Sequence, residues 1–112
     1  MKDFLLVYRA DYQTLPNSSP EEMQANTQKW MNWIGGIAAQ NKLADRGNRL
    51  ERTGKVLTQE GAVDGPYTEI KESILGYSLV KADSLDQASQ IAGGCPVLKM
   101  GGSVEVREIS IL

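Results

Sequence analysis

Asp64, followed by Gly65 and Pro66, is the most specific local feature of this sequence. As a turn it is self-consistent: the carboxylate accepts from nearby backbone N–H groups, glycine takes positive φ, and proline fixes its own. Held at a cavity mouth, the same carboxylate could serve as acid, base or ligand contact; near its ordinary pKa of about 3.9 it is a weak base unless burial raises it. Glu69, Lys71 and Glu72 follow. On an extended segment Glu69 and Lys71 share a face and Glu72 points the other way. In solvent such charges form ion pairs worth about 0–1 kcal/mol. On a covered sheet face they need partners, and Lys71 or Glu72 would then meet Arg107 or Glu105. Arg107 stands among apolar strand residues and offers a planar fork of donors to a carboxylate or phosphate, or to a neighbouring glutamate. Tyr8 and Tyr77 can bring hydroxyls to the same cavity or pack as strand aromatics. Cys95 has no adjoining cation to hold a thiolate and reads as an inert residue at a helix end.

Composition removes several chemistries. The chain has 112 residues, 12 Lys plus Arg, 14 Asp plus Glu, one Cys and no His. A structural zinc site, a histidine general base and a Ser-His-Asp triad are therefore out of reach. A net charge of −2 with scattered cations leaves no basic footprint for nucleic acid. The lone thiol excludes an intrachain disulfide and fits a reducing compartment. The longest apolar run near the start, Phe4 to Tyr8, is shorter than a signal peptide core or a membrane span requires. The expectation is one cytoplasmic domain over residues 1–112, without cofactor or metal.

The elements that must position these side chains are legible in outline. Phe4 to Tyr8 is apolar at every position, as suits a strand covered on both faces. Ser19, Pro20 and Glu22 supply an N-cap, a proline at N1 and a capping box, predicting a helix over about 20–40. Its stripe would be Met23, Thr27, Trp30, Ile34, Ile37 and Ala38, with Trp33 at the edge; Gly35-Gly36 ends the helix early or admits a close backbone. Leu43 to Glu51 reads as a short strand, with Thr53-Gly54 a turn before Lys55 to Gln59. Ile74 to Ala82 is a strand with Leu75, Tyr77 and Leu79 on one face and Ile74, Ser78 and Val80 on the other. Ser84 to Gln87 is a second capping box, opening a helix that buries Leu85, Ala88, Ile91 and Ala92 before Gly93-Gly94-Cys95-Pro96 stops it. Val104 to Ile111 is the last strand, with Glu105, Arg107, Ile109 and Ile111 on the face opposite Val104 and Val106.

That order is the split βαβ pattern of a ferredoxin-like α+β sandwich: an antiparallel sheet with both helices on one face. The other face is then too apolar to be left to water. A second copy of the same sheet covers it most simply, which predicts a two-fold homodimer of the α+β-barrel type.

Residues 62–72, Ala-Val-Asp-Gly-Pro-Tyr-Thr-Glu-Ile-Lys-Glu, followed by Leu75-Gly76-Tyr77, resemble the signature of the DGPF branch of the YCII-related family, with Tyr67 at the usual phenylalanine. Ala82 to Ala88, Cys95-Pro96 and Gly102 to Arg107 match in order and spacing, while Glu108 replaces the proline that usually follows the arginine. The resemblance implies a dimeric ferredoxin-like fold. It also implies two kinds of role: small-molecule chemistry through a His–Asp pair, or association with extracytoplasmic-function sigma factors. The first transfers badly, because the chain has no histidine and Cys95 stands where the YCII branch has aspartate before proline.

The leading expectation is therefore a homodimer that binds a small anion in a polar cavity on the helix-free face. Arg107, Glu105, Lys71, Glu72 and Tyr8 would be contacts there, and Asp64 the catalytic candidate if chemistry occurs. The alternatives are a non-catalytic partner of a sigma factor and a cofactor-free lyase or dehydrochlorinase with Asp64 as base.

Overall fold

In the first strand, β1 (Lys2–Ala10), Phe4, Leu6, Tyr8 and Ala10 are buried while Leu5, Val7 and Arg9 are half-buried. A strand with burial on both sides belongs at the centre of a sheet, and β1 is central. This computed structural model describes residues 1–11, 19–65 and 73–111. β1 pairs with β5 (Ser73–Ala82) on one side and β6 (Ser103–Glu108) on the other, and β2 (Leu43–Asp45) lies outside β5. The order is β2-β5-β1-β6 and every pairing is antiparallel. With helix α1 (Pro20–Ala39) following β1 and helix α2 (Leu85–Ala92) following β5, this is the ferredoxin-like arrangement. The hairpin of β3 (Gly54–Thr58) and β4 (Gly61–Gly65) is inserted between the second and third sheet strands as a separate two-stranded sheet.

Both helix starts are set by local chemistry. The Ser19 side chain accepts from the Glu22 N–H at 3.2 Å, and Pro20 opens α1. The Ser84 side chain accepts from the Gln87 N–H at 3.1 Å, while the Gln87 side chain accepts from the N–H of Asp83 at 2.7 Å, one residue before the cap. Both helices pack on one sheet face: Ile37, Ala88 and Ala92 join Phe4, Leu6, Tyr8, Val80 and Ala82 in a single core, with Cys95 and Val97 closing one end.

Four expectations are corrected. On α1 Ile37 is buried and Trp30, Trp33 and Ile34 are half-buried, while Met23, Thr27 and Ala38 are exposed, because the inward side of the helix is fixed by the contact of Trp30 and Trp33 with Tyr8. Leu85 is exposed, as the start of α2 overhangs the sheet and only Ala88 and Ala92 are fully covered. The last strand stops at Glu108; Ile109 still donates its N–H to the Asp3 carbonyl at 2.9 Å, but Ile111 is in water. A bulge between Tyr8 and Arg9 breaks the alternation of β5. Ile74 consequently lies opposite Arg9, and Leu75 packs against the core.

Of the strand expected over 43–51 only Leu43–Asp45 forms; beyond it the chain arches away and meets the edge of β5 again at Arg49, bridged to Gly76. Gly47 takes φ 73°, and a Cβ there would lie 1.7 Å from the Tyr77 carbonyl oxygen, so only glycine fits. The Asp45 carboxylate accepts from the Gly47 N–H at 2.8 Å, and Leu50 donates to Leu75 at 2.8 Å. Among the described residues no helix is long and apolar enough to cross a membrane.

Candidate functional site

Residues directly opposite in adjacent antiparallel strands share a face, so the registers of β5, β1 and β6 write out the helix-free face in rows. They are Leu79–Leu5–Arg107, then Tyr77–Val7–Glu105, then Ile74–Arg9–Ser103. Arg107 and Glu105 therefore occupy the face expected of them, within an apolar patch.

They are joined there by Arg9, which sequence reading did not single out. The Glu105 carboxylate accepts from the Arg9 Nε–H at 3.2 Å through Oε1 and from an Arg107 terminal N–H at 3.2 Å through Oε2. The side chains of Arg9, Glu105 and Arg107 are 26%, 40% and 72% exposed, so the chain of charges runs from half-buried to open. The hydrogen bond from Arg107 is the main reason the Glu105 carboxyl is held below the usual range, and Arg9 adds to it. The signal for Arg9 was period-2 alternation: Leu5, Val7 and Arg9 fall on one side, and the antiparallel register brings Arg9 beside Glu105.

The other candidates lie elsewhere. Tyr8 faces the helices, not the Arg107 face, because even-numbered positions of β1 point into the core. Its hydroxyl donates to the Ser78 hydroxyl at 2.6 Å, and Ser78 donates to the Arg46 carbonyl at 2.5 Å. Burial pushes the Tyr8 phenol well above its usual range. Its ring sits 4.9 Å from that of Trp30 and 6.0 Å from that of Trp33, both edge-on. Tyr77 does lie on the helix-free face, opposite Val7. Cys95 is buried beside this core, and burial pushes its thiol up to about 12. That state suits the inert role expected of it.

Asp64 sits within β4 opposite Lys55, since 54–58 and 61–65 pair as a hairpin around it, and Pro66 of the expected turn lies outside the described residues. Its side chain is 96% exposed and accepts from the Lys55 ammonium at 3.3 Å. It borders a shallow concavity of about 530 Å³ with Thr53, Gly54 and Lys55. The burial that a base role requires is not present there. Lys71 and Glu72 lie outside the described residues. Among the described residues no three His, Cys, Asp or Glu converge as metal ligands would.

An antiparallel sheet in this order, two helices on one face and a charged cluster on the other define a small ferredoxin-like α+β domain. The chain matches the YCII-related domain over residues 1–111, and it belongs to that family. No curated protein matches it.

Proposed function

We propose that this domain is a cytoplasmic homodimer that binds a small anion on the helix-free face of its sheet. The observation carrying the reading is the Arg9–Glu105–Arg107 chain set among Leu5, Val7, Tyr77 and Leu79. Arg107 spends only part of its donor fork on Glu105, which leaves N–H groups for an anion. A second copy packed on the same face would bury the apolar rows, lower the local dielectric, and strengthen any ion held by the guanidiniums. The single Cys95 is in keeping with a reducing compartment.

The test is a thermal-shift screen against small organic acids, phenols and phosphorylated metabolites, on wild type, Arg9→Ala and Arg107→Ala, with sedimentation to establish the oligomer. A ligand at about 100 times its dissociation constant adds about 2.7 kcal/mol, which moves the Tm of a domain this size by well over 5 °C. The expected result is a shift in wild type that both variants lose. If no compound moves the wild type, the anion reading fails, and a pull-down against extracytoplasmic-function sigma factors tests the non-catalytic alternative.

A further inference from the structure

Gly36 is in the interior of α1, where glycine weakens a helix, yet α1 runs through it unbroken. No close packing explains it: a Cβ built at Gly36 meets nothing within 4 Å. Gly36 lines an open cleft of about 320 Å³ between α1 and α2. The cleft is on the opposite side of the sheet from Arg9 and Arg107.

Its lining combines the apolar side chains of Trp33 and Ile91 with polar ones. Trp33 donates its indole N–H to the Ile91 carbonyl at 3.1 Å, so it presents the cleft with ring rather than donor. Gln40 and Gln90, both exposed, and the half-buried Lys42 also line it, and none of the three bonds through its side chain to a described residue. One ammonium neutralises one negative charge, and a carboxamide N–H₂ donates to a second oxygen of the same group.

We infer that the α1–α2 cleft is a binding site for a small monocarboxylate with a flat apolar body, its carboxylate on Lys42 and the carboxamides and its body against Trp33 and Ile91. A dianionic phosphate is a poorer match to a single cation.

Benzoate is the probe, with benzamide as its uncharged counterpart, titrated into ¹⁵N-labelled protein. The expected result is saturable movement of the Trp33 indole N–H and the Gln40 and Gln90 side-chain amides. Benzamide and the Lys42→Met variant should each bind about tenfold more weakly, the loss of one partly exposed charge-assisted hydrogen bond. Gly36→Leu fills the cleft without a clash at Cβ, so it should abolish the response while leaving Tm unchanged or raised. In Arg107→Ala the movement of the Trp33, Gln40 and Gln90 signals should persist even where any response around the sheet face is lost, which separates the two sites. An unsaturable response, equal binding of benzamide, retention in Gly36→Leu, or movement only around Arg107 would each overturn the inference.

Discussion

Tyr8 and Ser78 join hydroxyls at 2.6 Å inside the core, across the two central strands, and Ser78 donates its own hydroxyl to the Arg46 carbonyl. Tyr8 faces Gly76 and Ser78 faces Leu6 in the register, so the hydrogen bond runs diagonally. It ties the sheet to the arch that follows β2.

The two ends of that bond should differ in cost. Tyr8→Phe removes a donor but leaves Ser78 bonded to Arg46, and should lose about 0.5–1.5 kcal/mol. Ser78→Ala strands both the buried Tyr8 hydroxyl and the Arg46 carbonyl, and should lose about 1–3 kcal/mol. Urea denaturation of the two variants checks the ranking; equal midpoints would show that the diagonal bond does not couple arch to sheet.

Alkaline pH should unfold the protein. The buried Cys95 thiol is pushed up to about 12, and the Tyr8 phenol is also raised, both by burial. Their stabilising contribution is complete below the unfolded-state values. It is lost as pH rises, because the unfolded chain releases these protons first. Stability should therefore fall from about pH 9 upward, with a shallower slope in Cys95→Ala. Iodoacetamide at pH 8 should leave native Cys95 unmodified and label it in denaturant.

Glu105 titrates in the opposite sense. Its depressed carboxyl favours the folded state above the unfolded-state pKa, and that contribution disappears as pH falls through the folded-state value. Side-chain carboxyl NMR should give Glu105 a midpoint below that of an exposed glutamate. Arg107→Ala and Arg9→Ala should each raise it, since the Arg107 hydrogen bond is the largest single cause and Arg9 adds charge and a hydrogen bond of its own.

Gly94 and Trp33 should be energetically coupled. A Cβ at Gly94 would lie 3.0 Å from Trp33 Nε1 and 3.1 Å from Cδ1. Gly94→Ala should cost about 1 kcal/mol by crowding the indole. In a Trp33→Phe background the same change should be neutral or stabilising, because the smaller ring clears the methyl and alanine reduces unfolded-state freedom. A double-mutant cycle reads the coupling directly.

What depends on near neighbours in the chain could be read from the residues. Ser19-Pro20 and Ser84 start their helices because a cap needs only a side chain and an N–H three residues away. The order of strands and helices sufficed for the ferredoxin-like arrangement, and strand parity placed Arg107 and Glu105 on one face. Register and burial needed the fold. One bulge at Tyr8/Arg9 re-aimed Ile74 and Leu75, and nothing local marks its position. Asp64-Gly65 has turn chemistry, yet it pairs as a strand because Gly54-Lys55 lie across from it. Met23 and Leu85 fit apolar stripes but stand in water, since periodicity gives the spacing of a stripe and not where the partner surface ends. Arg9 became a site residue only when the β1–β6 register set it beside Glu105, a contact 96 positions apart in sequence. Short-range interactions are written in adjacent residues; the meeting of distant side chains is decided by how the whole sheet closes.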